Sequence, residues 1–245
     1  MINLIEQSRL EQEIIQGKAI AHKAEAVWRW DAPTGILRAK RRSQFFISKG
    51  EINSESSILE LGCGTGLFTD MVYQETKAKI IAIDISNELL SVARSKYNHS
   101  EFKQMDAMKL EFNDDYFDVI FGSSVLHHLN YVNTLKEIYR TLKPGGRMVF
   151  AEPNMLNPHI FLQKKIPFLK NRAGDCPHET AFIRWKLKEQ IKSSGFINVE
   201  VIPYDFLYPL IPDFSIPFVN AMGRVFEKIP GIKEIAGSLV ISAKK

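Results

Sequence analysis

The sequence predicts a doubly wound α/β sheet, a parallel sheet with helices on both faces, on three observations. From Ser56 onward, short β-branched runs alternate with helical segments, the pattern of strands joined by helical crossovers. The 245 residues are 45% hydrophobic and 24% charged, enough to bury one full core. The first strand-like run, ILELGCGTGLF at 58–68, breaks into glycines at alternate positions and then turns helical.

Residues 1–50 precede the sheet as helices expected to cover its cleft, and 51–245 form the sheet domain. MINLIEQSRLEQEIIQGKAI reads as an amphipathic leading helix, because Glu6, Arg9, Glu11, Glu13 and Lys18 interrupt its apolar positions; a secretory signal needs an unbroken apolar stretch. Trp28, Trp30 and the cluster Arg38, Lys40, Arg41, Arg42 read as helix packing and a solvated basic face. The expected strands are SSILELG, AKIIAID, EFKQMD, FDVIFGS and GRMVFAE, followed late by FINVEVI at 196–202 and SLVISAK at 238–244. Between them, LFTDMVYQE follows the glycines, Ser86 is placed to cap NELLSVARSKY, and YVNTLKEIYRTL stops at Lys143-Pro144-Gly145-Gly146. Two stretches break the alternation, 153–177 and 203–235, the second holding five prolines. Both are expected as insertions on the substrate side, since ligands of open α/β sheets bind beyond the carboxyl ends of the strands.

A formal net charge of +4 without a long Lys/Arg tract argues against a nucleic-acid partner. Cys63 and Cys176 are the two cysteines, too few for a disulfide framework or a four-thiolate zinc site, and fit a reducing cytoplasm. No stretch approaches the roughly 18 to 20 apolar residues of a spanning helix.

Gly62, Gly64 and Gly66 let the main chain approach a ligand where side chains would collide, with free N–H donors at the helix start. A dinucleotide loop, Gly-x-Gly-x-x-Gly, would need its third glycine where Leu67 stands. Glu60, two residues before the loop, is expected to project beside it, where its carboxylate would repel a pyrophosphate. A cationic or amine-bearing ligand is favoured. Asp84, followed by Ile85, ends the next strand, where a carboxylate can accept both hydroxyls of a ribose; a helix-capping Asp is the other reading. Met105-Asp106-Ala107 places an acceptor carboxylate beside a small side chain, suited to the exocyclic amine of a base.

Together these residues resemble the class I S-adenosylmethionine-dependent methyltransferases, in particular the small-molecule, type 11-like group, over about residues 56–152. The carriers are Leu59-Glu60-Leu61-Gly62-Cys63-Gly64-Thr65-Gly66, Asp84, Asp106, Phe117-Asp118-Val119-Ile120 and Leu142-Lys143-Pro144-Gly145-Gly146. The resemblance implies a Rossmann-like, doubly wound, seven-stranded sheet with its last strand antiparallel. It also implies S-adenosyl-L-methionine as cofactor, bound by Glu60, Gly62, Cys63, Gly64, Gly66, Asp84, Ile85, Asp106, Ala107 and Ser123.

Methyl transfer from a sulfonium is an in-line displacement governed by holding donor and acceptor about 3 to 3.5 Å apart. A hydroxyl acceptor must also lose a proton, and histidine is the usual base. His128 is the first candidate, since the resemblance places a functional His there; His127 is the second, and adjacent helical residues do not serve one atom. A structural role for both stays open. Glu152 and Asn154, after the fifth strand, are expected to bind substrate. His159 and His178 read as surface residues, and the six histidines show no metal-ligand spacing, so no metal is expected.

From His159 to Lys192 the chain has eight Lys/Arg against three acids, interleaved with aromatics, and 206–222 is apolar yet broken by prolines. Such surfaces suit an anionic headgroup, a bilayer interface or an apolar acceptor, with core packing as the plain alternative. EKIPGIKEIAGSLVISAKK is similar to tails of methyltransferases from cell-surface polysaccharide and glycolipid pathways. The expected function is methylation of a small-molecule or lipid-linked acceptor, with O-methylation of a sugar or quinone-like phenol ahead of N-methylation. The setting is the cytoplasm, with peripheral contact at the inner membrane face, and the protein is a monomer or homodimer. An NAD(P)-dependent or nucleotide-sugar oxidoreductase and a non-catalytic AdoMet-binding scaffold stay open as alternatives.

Overall fold

The computed structural model describes the backbone of residues 4–173 and 179–245, and the side chains of 9–170 and 179–245. Cys176 and His178, with Arg172 and Asp175 of the basic stretch, lie outside the described side chains. Three helices lead the chain: α1 (Leu4–Ile20), α2 (Ala24–Val27) and α3 (Pro33–Gly50). β1 (Ser57–Leu61), α4 (Leu67–Thr76), β2 (Lys79–Asp84), α5 (Asn87–Lys96), β3 (Glu101–Gln104), β4 (Phe117–Ser123), α6 (Tyr131–Thr141) and β5 (Leu142–Pro153) follow. The chain then runs through α7 (Pro158–Lys165), α8 (Pro167–Ala173), α9 (Arg184–Ser193), β6 (Ile197–Tyr204), α10 (Ile216–Phe226) and β7 (Ser238–Lys244).

The seven strands form one sheet in the order β3-β2-β1-β4-β5-β7-β6. The five strands β1 to β5 run parallel, and β7 is antiparallel to both β5 and β6. Strands of a parallel sheet are buried on both faces and read as unbroken apolar runs. Alternation along β1 shows how two cores arise. Leu59 and Leu61 join Leu135, Ile138, Leu187 and Ile191 of α6 and α9, whereas Ile58 meets Phe46, Phe68, Val72 and Leu90 of α3, α4 and α5. Glu60 shares the face of Ile58 and so points at α4.

The chain winds outward from β1 through β2 to β3, then returns to place β4 on the other side of β1. That reversal leaves a cleft beyond the carboxyl ends of β1 and β4. Ser86 caps α5, its hydroxyl accepting from Leu89 N. The expected stop at Lys143-Pro144-Gly145-Gly146 falls inside β5, because the strand starts at Leu142 and its pairing with β4 slips between Phe117 and Val119.

The basic cluster on α3 is not a solvated face. Lys40 is exposed, but Arg38 pairs with Asp205 at 2.6 Å, Arg41 pairs with Glu227, and Arg42 is 3% exposed. Helical spacing explains this, since Ala39, Arg42, Ser43 and Phe46 lie on the inward face.

Candidate active site

A cavity of about 880 Å³ opens at the carboxyl ends of β1, β2 and β4, roofed by α1 and walled by α7. Its floor is the turn from β1 to α4, where Gly62, Gly64 and Gly66 have φ of +66°, +54° and +82°, a region that favours glycine. A Cβ on Gly62 would stand 2.5 Å from Val125, and one on Gly64 would stand 3.1 Å from the Trp28 ring. The turn is fastened from β2: Cys63 N donates to Ile83 O at 3.0 Å, and Gly64 N to Asp84 Oδ2 at 2.8 Å. Asp84 Oδ1 accepts from Ser86 N at 2.9 Å. Burial raises the Asp84 pKa, opposed by the N–H donors of Ser86 and Gly64.

Gly62, Cys63, Gly64, Asp84, Ile85, Asp106, Ala107, Ser123, His127 and His128 all line this cavity. Asp106 Oδ1 accepts from Met108 N at 2.9 Å. Gly66 begins α4 instead, and a Cβ there would meet Tyr97 at 3.0 Å. Glu60 lies behind the turn rather than beside the ligand space: it is 1% exposed, accepts from the Thr69 hydroxyl, and burial pushes its pKa up to about 8. Near neutral pH it is an uncharged acid, so repulsion of a pyrophosphate does not follow from it.

At the far wall, His127 Nδ1 sits 2.7 Å from Glu152 Oε2, and its Nε2 faces Glu179 Oε2 at 4.0 Å. His128 Nδ1 is 2.8 Å from Glu13 Oε1 of α1 and 3.6 Å from Glu179 Oε1. Burial lowers the His127 pKa, helped by His128 and outweighing the pull of Glu152. Burial acts on His128 in the same sense, but Glu13, Glu179 and Glu152 outweigh it and raise its pKa. His127, His128 and Glu179 offer ligand atoms within 4.8 Å of one another, a grouping that the spacing of the histidines in the sequence hides. Lys164 Nζ lies 2.9 Å from Glu179 Oε2, so the group carries its own cation.

Glu152 and Asn154, expected to bind substrate, do not line the cavity. Both are fully buried. Ser124 adopts a left-handed φ of 55°, which turns the N–H groups of Val125 and Leu126 back onto Glu152 Oε1 at 2.9 and 2.8 Å. Asn154 Nδ2 donates to Glu234 O and Ala236 O at 2.8 Å. It holds the approach to β7 and cannot also reach an acceptor.

The methyltransferase domain family matches residues 59–150, the segment that builds this floor. An uncharacterized methyltransferase-like protein of Schizosaccharomyces pombe is 30% identical, over 73% of this chain and 68% of its own. The chain belongs to the class I S-adenosylmethionine-dependent methyltransferases. Demethylmenaquinone methyltransferase of Lactococcus lactis is also similar to this methyltransferase, at 37% identity over 59% of this chain and 67% of that one. Among solved structures, a SAM-dependent methyltransferase from Archaeoglobus fulgidus shares the fold with a TM-score of 0.61 at 18% identity, covering 85% and 93% of the two chains. A chain of the Haloferax volcanii complex with the Trm112 methyltransferase activator reaches 0.70 at 17% identity, covering 93% and 96%.

This methyltransferase is therefore an enzyme that uses S-adenosylmethionine. The glycine cradle that a Cβ would fill, and the carboxylates that edge it, fit a nucleoside bearing a cation. Arg42 lines the cavity and donates to Ser123 Oγ and Ser124 Oγ at 2.8 and 2.9 Å. The inward periodicity of α3 was the signal that could have singled it out. Glu13 and Glu179 gave no such signal, because Glu13 meets His128 across 115 residues of chain.

Proposed function

We propose that this methyltransferase methylates a hydroxyl group on a small or lipid-linked acceptor, with His127 as the base. The Glu152–His127 pair supports this reading. A buried carboxylate fixes Nδ1 and leaves Nε2 facing Glu179 at 4.0 Å on the cavity wall, while the depressed pKa keeps the ring neutral and able to take a proton. His128, first in the sequence-based order, has its Nδ1 on Glu13 and a raised pKa, so its role is to hold α1 by charge.

S-adenosylmethionine supplies a methyl group on a sulfonium, electrophilic without further activation. Asp84 would hold the ribose hydroxyls, Asp106 and the main chain at Ala107 the base, and Arg42 the carboxylate of the methionyl part. The main chain of Gly62, Cys63 and Gly64 would line its path, with Ser123 at its end. Residues 1–50 act as the cover, with α1 excluding water from the site. Segment 153–177 supplies Ile160, Gln163 and Lys164 to the wall; 203–235 supports it from behind, through Tyr208 Oη 3.0 Å from His159 Nε2.

Lipid-linked acceptors are supported by the outer surface near this wall. Phe161, Leu162 and Phe168 stand exposed on α7 and α8, and Phe214 and Phe218, just before and within α10, are 88% and 70% exposed. Such a rim suits the interface of a bilayer, although among the described residues no helix is long and apolar enough to cross one. A quinone acceptor is the second reading, suggested by the names of the demethylmenaquinone methyltransferases it resembles.

His127→Ala should reduce turnover by about 10²–10⁴-fold with affinity for S-adenosylhomocysteine unchanged. The wild-type rate should fall at acid pH with a midpoint below 6.5, the ordinary value for histidine, because the base form is lost only as pH drops through a depressed pKa. A midpoint above 6.5, or full activity in the variant, would remove His127 from the reaction.

A further inference from the structure

We propose that α10 docks this methyltransferase on an anionic bilayer, lying along the headgroup layer with an outward apolar stripe among the acyl chains. The proposal deepens the lipid-linked reading above and rests on it. α10 is apolar on its inner face, as a covering helix should be, and on its outer face as well; a helix apolar all round is ordinarily buried. Inside, Ile216 and Gly223 are buried, and a Cβ on Gly223 would stand 3.1 Å from the Phe206 Cβ. Outside, Phe218, Ala221 and Val225 follow one another at i, i+3 and i+7, with Phe214 four residues earlier, and all four are exposed. Val225 is 50% exposed at the far end of the stripe. Eleven residues extend about 16 Å, too short to cross a hydrocarbon core of about 30 Å, so the helix lies along the surface.

The stripe is continuous with the cavity wall. Leu210, 60% exposed, and Tyr208 precede it, and Tyr208 Oη meets His159 Nε2 of α7. One turn further along α7, Leu162 is exposed while Gln163 and Lys164 line the cavity. A contiguous apolar surface of this kind marks an interaction site, and charge decides its occupant. Between Phe206 and Ile229 the acids are Asp213 and Glu227. Glu227 is held by Arg41 and by the Asp205 N–H, and Asp213 stands at the other end of the helix. Arg224 and Lys228, one turn apart beside the stripe, are exposed and pair with no acid among the described residues. Basic side chains flanking an apolar stripe reach headgroups while the stripe is buried, and an anionic leaflet attracts them. A second copy of the chain is the poorer match, because a two-fold axis through the stripe would bring Arg224 and Lys228 toward their own equivalents.

The test mixes the full chain, without acceptor, with vesicles of phosphatidylcholine alone or with phosphatidylglycerol added, and reads the bound fraction by flotation. Binding is expected to the anionic vesicles and should fall as salt screens the basic residues. Phe214→Ser and Phe218→Ser should each weaken it by about tenfold, and Arg224→Gln and Lys228→Gln each by about fivefold. Unchanged S-adenosylhomocysteine affinity in all four variants is the check on folding. Absence of wild-type binding to anionic vesicles would overturn the proposal. Equal binding by the wild type and both Phe variants would overturn it too, since the contact would then lie elsewhere. A dimer in equilibrium sedimentation that Phe218→Ser dissolves would assign the stripe to a second copy and overturn the bilayer as its occupant. None of these outcomes touches the lipid-linked reading; methylation confined to water-soluble hydroxyl compounds, by a chain that still binds vesicles, would strike that reading instead.

Discussion

Both carboxylate oxygens of Asp84 accept from main-chain N–H groups, those of Gly64 and Ser86, yet each oxygen has a second lone pair for a ligand hydroxyl. The residue therefore has two duties, fixing the glycine turn and meeting the ribose. Asp84→Ala removes charge-assisted hydrogen bonds and should weaken S-adenosylhomocysteine binding by about 1.5 to 3 kcal/mol, read by titration calorimetry. Asp84→Asn retains one acceptor oxygen and should fall between. Equal affinities in all three proteins would show that no ribose hydroxyl meets residue 84. The positions of such residues were legible because they lie at short spacings from strands: the glycines and Asp106 follow strand ends and Asp84 ends β2. Glu152 was misread from the same evidence, since nothing in its spacing shows that the left-handed turn at Ser124 returns two N–H groups to it. Arg42 was hidden in a cluster of four basic residues of which Arg38 also lines the cavity, while Lys40 is exposed and Arg41 pairs with Glu227.

Among elements, the strands were the most legible, because double-sided burial forces β-branched runs that few other structures tolerate. β7 occupies 238–244 as expected, and β6 overlaps its expected span, ending two residues later at Tyr204. Helix α1 was expected as a helix among those covering the cleft, but the contact that seats it is one that no local pattern encodes. Gly17 of α1 packs so closely on α5 that a Cβ would lie 2.5 Å from Ser86 Oγ. Ser86 is itself the cap of α5 and follows Ile85 of the ligand wall, so α1 is seated on the donor site. Gly17→Val should lift α1, since branched carbon cannot occupy that gap. The expected result is faster proteolytic cleavage within residues 1–20 and weaker S-adenosylhomocysteine binding, with the thermal midpoint of the sheet domain little changed. Cleavage and affinity equal to wild type would mean that α1 does not depend on this contact.

At the scale of the whole molecule, the buried titratable groups set a pH window for stability. A folded pKa raised above the unfolded value means that the folded chain keeps a proton the unfolded chain releases, so stability falls as pH rises between the two values. Glu60 is such a group, raised from 4.5 to about 8 by burial, with Asp84 adding to the rise and the Thr69 hydroxyl opposing it. His128 acts in the same direction: its ion pairs are fully present below the unfolded pKa and are lost as pH climbs through its raised folded pKa. His127, whose pKa is depressed, acts oppositely and costs stability as pH falls below its unfolded value. The fold is thus bounded on the acid side by His127 and on the alkaline side by Glu60 and His128. Glu60→Gln isolates the first of these, because an amide mimics the neutral acid, accepts from Thr69 and cannot ionise. Each pH unit within the window is worth about 1.4 kcal/mol per proton. Between pH 5 and 8 the wild type should therefore lose about 3 kcal/mol more than the variant, measured as urea-unfolding free energies at both pH values. Parallel losses in the two proteins would mean that Glu60 titrates as an ordinary carboxyl, and that water reaches the space beneath the glycine turn.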